Sequence, residues 1–175
     1  MSERVHVLIG EEDIKAKIKE IAEKITQDYA GTQLTLICIL KGGVIFMVDL
    51  ARQIKLPCAF EFMDISSYGN SSTSSGVVKI ERDLDAEITG KHVILVEDII
   101  DTGRTLSRLK EHLLAQRPAS FKICALLDKV ERREVPGIAA DYTGFVIPNE
   151  FVVGYGLDYS QRYRNLPFVG RLEFL

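Results

Sequence analysis

The residues best placed to do chemistry lie in one run, residues 93–106, which reads VILVEDIIDTGRTL. A short apolar stretch, the pattern of a buried strand, passes directly into Glu97 and Asp98 and then Asp101. Three acids in five positions repel one another unless a cation or substrate hydroxyl groups meet them. In open α/β sheets ligands bind beyond the carboxyl ends of the strands, which is where these carboxylates fall. Magnesium is commonly held by a few carboxylates together with substrate oxygens, so an acid pair here suits a metal-bound sugar phosphate. The turn that follows, Thr102-Gly103-Arg104-Thr105, adds the complementary half. Small residues let successive backbone N–H groups share one concavity, and the helix beyond offers its positive end to a phosphate. An ordinary acidic strand-to-helix loop, with Thr102 or Thr105 as its N-cap, would account for any one of these residues but not for their order.

The elements that must hold this run in place follow from hydrophobic periodicity. Ile14, Ile18, Ile21, Ile25 and Tyr29 recur at spacings of three and four, which predicts an amphipathic helix over 11–30, stopped by Gly31. Residues 34–40 (LTLICIL), 93–96 and 121–127 read as strands buried on both faces, and 58–65 as a further strand. Helices are expected over 44–54 and 106–116. Strand and helix alternate, so the fold class is α/β, a mainly parallel sheet with helices on both faces. Beyond Pro136 the pattern loosens into short apolar and aromatic pieces, read as a small cap or hood. Residues 66–76 (SSYGNSSTSSG) have nothing to pack and read as a loop, either a lid or a disordered segment.

Composition sets the limits. The 175 residues correspond to one domain at about 150 residues per domain, with 46% hydrophobic residues for its core. Lys+Arg 22 against Asp+Glu 25 leaves a formal charge of -3, which argues against a nucleic-acid or anionic-membrane binder that works by bulk charge. The one short basic cluster is 129–133 (KVERR). Cys38, Cys58 and Cys124 are far apart, form no CxxC and share no ligand spacing with His6, His92 or His112, so buried thiols in a reducing compartment are expected. The N-terminal residues do not fit a signal peptide, and no apolar run reaches the roughly 18 residues of a membrane span. A cytoplasmic protein is expected.

VILVEDIIDTGRTL resembles the phosphoribosyl pyrophosphate (PRPP) motif of the type I phosphoribosyltransferases. Leu40-Lys41-Gly42-Gly43 resembles that family's pyrophosphate loop, Ser66-Ser67-Tyr68-Gly69 the start of its catalytic lid, and Leu126-Leu127-Asp128-Lys129 its purine-contact strand end. Residues 151–158 (FVVGYGLD) and 162–167 (RYRNLP) resemble the hood and closing segment of the hypoxanthine-guanine phosphoribosyltransferases. The matches run from about residue 40 to 167 in family order.

The resemblance implies the type I phosphoribosyltransferase fold in a single domain over 1–175, with a core near 11–135 and a hood from 136–175 and the N-terminal residues. It implies a magnesium-dependent purine salvage enzyme joining hypoxanthine or guanine to the phosphoribosyl group of PRPP, giving IMP or GMP and pyrophosphate. Asp101 would take the purine N7 proton. Glu97 and Asp98 would meet the ribose hydroxyls and magnesium, with Asp158 as a further metal contact. Asp101 would lie near the sugar of PRPP, and Thr102, Gly103, Arg104 and Thr105 would cradle the 5-phosphate, the family often having lysine or asparagine at the position of Arg104. Lys41, Gly42 and Arg164 would hold pyrophosphate, with a cis non-proline peptide at the Lys41–Gly42 bond. Ser67 and Tyr68 would cover the site. Lys129, Phe151, Val152 and Asp158 would face the purine, Lys129 donating to its exocyclic oxygen. A homo-oligomer, dimer or tetramer, is implied. The rival readings are a xanthine-preferring enzyme, an RNA-binding regulator on the same fold, and a non-catalytic domain.

Overall fold

A computed structural model describes residues 3–67 and 78–175, and the side chains of Ser67 and Val78 are outside that description. The elements are β1 (Glu3–Ile9), α1 (Glu11–Asp28), β2 (Leu34–Leu40), α2 (Val44–Gln53), β3 (Cys58–Ser67), β4 (Val78–Arg82), β5 (His92–Ile100), α3 (Arg104–Leu114), β6 (Ser120–Asp128), a 3-10 turn (Val130–Arg132), β7 (Tyr142–Val146), β8 (Val152–Val153) and β9 (Val169–Phe174). No helix among them is long and apolar enough to cross a membrane.

Six strands form the central sheet in the order β4-β3-β2-β5-β6-β7, all parallel except β4, which runs antiparallel to β3. The apolar strands explain the layers. Leu36, Cys38, Ile94, Val96, Cys124 and Leu126 face α1 and α2, whose Ile14, Ile18, Ile25, Phe46, Met47 and Leu50 are buried against them. The alternate residues Ile37, Ile39, Val93, Leu95, Ile123 and Ala125 face α3 through Leu106, Leu109 and Leu113. A strand whose both sets of side chains must be apolar reads as a continuous hydrophobic run, as these do. Glu11, Glu12 and Asp13 in the first turn of α1 suit its positive end.

Two expectations about boundaries change. The strand expected over 93–96 continues through the acids to Ile100, because Glu97 still pairs with Ala125, Ile99 with Leu127 and Ile100 with Asp128. Glu97 and Asp98 are therefore on the strand, and of the three acids only Asp101 lies in the loop after it. The expected hood region beyond Pro136 first supplies β7 to the central sheet, where Cys124 pairs with Tyr142 and Leu127 with Phe145. Gly144, at the centre of the short run YTGFV, obscures its strand pattern in sequence. The hood proper is the antiparallel sheet β1-β9-β8, in which the N-terminal strand pairs with β9.

Candidate active site

β5 and α3 are joined by three residues, 101–103, and that junction forms the floor of a cavity of about 260 Å³. Gly42, Glu97, Asp98, Asp101, Thr102, Gly103 and Thr105 line it, so seven of the site residues named from sequence meet at one place. Gly103 has φ +83, the left-handed conformation that glycine adopts without a Cβ penalty, and it caps α3. The first amides of that helix have no partner within the helix, and that of Arg104 makes only a long 3.4 Å bond to Thr102 Oγ1, so this end is suited to an anion. Arg104 lies outside the lining. Its side chain is exposed and turned to Glu134, with Nε 2.6 Å from Oε2, so any cradle here is main chain and threonine hydroxyl rather than guanidinium.

Glu97 is 9% exposed and Asp98 is half-buried. Alternation along a strand sends adjacent side chains to opposite faces, and Asp98 is the one that lies against the loop after β2. A Cβ on Gly42 would sit 1.7 Å from Asp98 Oδ2, so only glycine leaves room for that carboxylate. Asp98 Oδ1 accepts from the Ile99 amide at 2.8 Å. Burial pushes the Asp98 carboxyl up to about 6, opposed by its backbone hydrogen bonds and by the field of Arg164. Burial and then the neighbouring Asp98 push Glu97 well above the usual carboxylate range. Two desolvated acids that resist ionisation are groups awaiting a cation or hydroxyl donors.

The loop after β2 carries a cis peptide at Leu40–Lys41. The cis bond expected at Lys41–Gly42 is thus one residue earlier, at the peptide that ends the strand. Lys41 itself is exposed and does not line the cavity. The hood meets this loop through Gly156, with φ +101, where a Cβ would lie 2.1 Å from the Gly42 carbonyl oxygen. Next to it, the Tyr155 hydroxyl donates to Asp49 on α2 at 2.5 Å. Arg164 Nη1 donates to the Gly156 carbonyl at 2.7 Å, and Nη2 is 2.8 Å from Asp158 Oδ1.

Asp158 is already engaged on both oxygens, since Oδ2 accepts from the Gln161 amide at 2.8 Å. Among the described residues no three acidic, histidine or cysteine side chains converge on a point fit for a metal, so Glu97, Asp98 and Asp158 do not form a preassembled trio. Lys129 is 8% exposed, and its amide donates to the Ile100 carbonyl at 2.9 Å, which sets the end of β6 beside the end of β5. Phe151 is half exposed on the hood, edge-to-face with Tyr159 at 5.8 Å between ring centroids. Val152 is buried in β8 opposite Arg171. Neither lines the cavity. Tyr68 and the Ser67 side chain lie outside the described residues.

Reading by motif left Gly156 without a role, as it did Asp128 and Arg133. The signals were present, a YG pair inside an apolar run and an acid closing the buried strand LLD, but each needs its partner across the fold to be interpretable.

A phosphoribosyl transferase domain model matches residues 10–160, and the chain belongs to the phosphoribosyltransferase family. Within that family its similar proteins include hypoxanthine phosphoribosyltransferases. The Salmonella typhimurium hypoxanthine phosphoribosyltransferase is 48% identical over 100% of this chain and 99% of that protein. The Haemophilus influenzae one is 50% identical over 96% of this chain and 95% of its own. The crystal structure of a Bacillus anthracis hypoxanthine-guanine phosphoribosyltransferase superposes with a TM-score of 0.92 at 44% identity, over 99% of this chain and 100% of that one.

Proposed function

We propose that the protein transfers the 5-phosphoribosyl group from PRPP to N9 of hypoxanthine or guanine, yielding IMP or GMP and pyrophosphate, in a magnesium-dependent reaction of purine salvage. The observation that carries this reading is the cavity lined both by two β5 acids whose pKa burial raises and by a small-residue turn at the start of α3. Full-length similarity to hypoxanthine phosphoribosyltransferases supports the choice of reaction.

The donor set fits magnesium: oxygen ligands only, few in number, with Asp98 held in a glycine cradle and raised in pKa by burial. Because Asp158 is tied to Arg164 and Gln161, Asp98 and Glu97 are the first choice to receive magnesium and the ribose hydroxyls, with Asp158 a later partner at most. Magnesium, when bound, supplies charge neutralisation for the departing pyrophosphate. Thr102, Gly103, Thr105 and the first amides of α3 cradle the 5-phosphate, with Arg104 bracing the loop from outside. Gly42 lets the loop after β2 approach pyrophosphate, and Lys41 and Arg164 supply cations at its edge. Asp101 Oδ1 accepts from Arg132 Nε at 2.9 Å, which leaves Oδ2 to take the purine N7 proton. Lys129 donates to O6, which selects 6-oxopurines over a base bearing an amino group there. Phe151 stacks on the purine, and the backbone groups of Val152 and Asp158 meet its far edge. Ser67 and Tyr68 would close over the site to exclude water.

In the cluster 129–133 Lys129 is buried and both arginines are paired, the exposed Arg132 with the Asp101 carboxylate and Arg133 with the Asp101 carbonyl, so its cations are not a free basic patch. That placement supports an enzyme rather than an RNA-binding face. One domain, a cytoplasmic location and a homo-oligomer complete the proposal. Steady-state assay with PRPP and hypoxanthine, guanine or xanthine tests it: turnover of the first two is expected, absence of both sinks it, and a preference for xanthine selects the rival enzyme.

A further inference from the structure

Three consecutive carbonyls of the β5–α3 junction are all held by the segment that follows β6. The Ile100 oxygen accepts from the Lys129 amide at 2.9 Å, the Asp101 oxygen from Arg133 Nη1 at 2.8 Å, and the Thr102 oxygen from the Glu134 amide at 2.9 Å. Carbonyls drawn to one side leave the amides of the same loop free to face the other, the geometry an anion needs. The first and third of these bonds are backbone to backbone and would form with any side chain. The middle one depends on a single arginine.

Arg133 is well suited to that place. Its other nitrogen, Nη2, bonds to Asp128 Oδ1, and the two side chains are only 14% and 7% exposed. Its aliphatic stem runs beside Gly103, where a Cβ would approach Cδ to 3.1 Å. Asp128 immediately precedes Lys129 at the end of β6. One planar fork therefore ties the loop at the end of β5 to the strand end that carries the lysine, and breaking a desolvated pair of this kind costs far more than breaking exposed ones such as Arg104–Glu134.

We infer that Arg133 is a positioning residue. It fixes the shape of loop 100–104 and locks the phosphate side of the site to the base side through Asp128. Its functional meaning rests on the reaction proposed above, but its positioning role is measurable without that reaction.

The test is Arg133→Lys. Lysine keeps a cation opposite Asp128, so no buried carboxylate is left bare, but one ammonium does not reproduce the planar fork to both acceptors. Hydrogen exchange on the ligand-free protein is expected to rise roughly tenfold for the Lys129 and Glu134 amides, which donate to the loop carbonyls, with the interiors of β2, β5 and β6 unchanged. The KM for PRPP should rise by a similar factor with a smaller change in kcat. The neutral pair Arg133→Gln with Asp128→Asn carries the same readouts should the lysine variant fail to fold. Unchanged exchange at the Lys129 and Glu134 amides, or exchange that rises evenly through the sheet, overturns the inference. A wild-type protein that turns over no purine while these amides respond as described overturns the proposed function and leaves the positioning role standing.

Discussion

The two ends of the central sheet are built from similar kinds of residue and are left in opposite electrostatic states. At the N-terminal end, where β5, β6 and β7 begin, the polar groups satisfy one another. The Tyr142 hydroxyl donates to Asp28 Oδ2 at 2.6 Å, and Lys122 Nζ bonds to the Tyr142 hydroxyl at 3.1 Å and lies over the rings of Tyr29 and Tyr142. His92 Nδ1 is 2.9 Å from Ser120 Oγ. The Tyr142 and Lys122 contacts hold the Asp28 carboxyl below the usual range. At the C-terminal end, Glu97 and Asp98 are pushed up instead, because burial outweighs what their neighbours offer. An end whose charges are already compensated contributes stability, and an end whose charges are not compensated keeps that interaction free energy for a ligand. Substitutions at the two ends should therefore separate cleanly into those that change rate or binding and those that change melting temperature.

The largest separation is expected at Asp101. Asn at this position keeps an oxygen for Arg132 and preserves volume but does not accept a proton. Asp101→Asn should lower kcat by roughly 100- to 10,000-fold, with little change in PRPP affinity or melting temperature. Steady-state kinetics with a direct PRPP binding measurement checks this. Equal losses in rate and affinity would make Asp101 a ligand rather than a base.

Gly42→Ala should come next. The added methyl must displace the Asp98 carboxylate, whose Oδ2 would lie 1.7 Å away. Moving a group that supports the site typically costs about 10- to 100-fold in activity, and that loss should fall on kcat/KM for PRPP. Comparison of Gly42→Ala with Gly42→Ala/Asp98→Ala separates crowding of the carboxylate from a general distortion of the loop. If the double variant is no worse than Asp98→Ala alone, the carboxylate is what the glycine serves.

The regular half of the molecule was readable from sequence because its rules are periodic. The run 34–40 coincides with β2, and the helix over 44–54 with α2 to within a residue, since a doubly buried strand or a one-sided helix announces itself in residue order. The candidate site was readable where a motif is contiguous, as it is from Glu97 to Thr105. What was not readable depends on residues far apart in the chain. Gly156 matters because it lies on the Gly42 carbonyl, and Arg133 because it reaches Asp101 and Asp128. The hood follows no period for a related reason. Tyr155, Ser160, Gln161 and Tyr163 all have positive φ, a backbone set by specific hydrogen bonds rather than by propensity.

The raised Asp98 carboxyl gives the comparison a pH axis. A carboxyl whose folded-state pKa lies above its ordinary value favours the protonated form. Its contribution to the stability of the free protein is thus present at low pH and is lost as pH rises through about 6. Binding runs the other way, because magnesium and ribose hydroxyls call for the carboxylate. PRPP with magnesium should bind about tenfold more weakly at pH 5 than at pH 7, and Glu97, raised in the same direction, should reinforce the trend. Calorimetric titration at the two pH values measures it. Equal affinity at both would remove Asp98 from the metal-bound site.

The smallest effect belongs to the satisfied end. Tyr142→Phe deletes the hydroxyl that donates to Asp28 and accepts from Lys122, while the buried ring stays in place. Lys122 remains 3.4 Å from Asp28 Oδ2, so neither charge is stranded. The loss should be that of an ordinary hydrogen bond, about 1 kcal/mol, which lowers the melting temperature of a domain this size by roughly 2–4 °C. Lowered pH should erase part of the difference: Asp28, held below its ordinary pKa, contributes stability that is present above the unfolded value and is lost as pH falls through the folded one. Kinetic constants for PRPP and the purine should stay within twofold of wild type, since the end of α1 and the starts of β6 and β7 lie at the opposite end of the strands from the cavity. A Tyr142→Phe variant that melts normally but loses activity would break the division between the two ends.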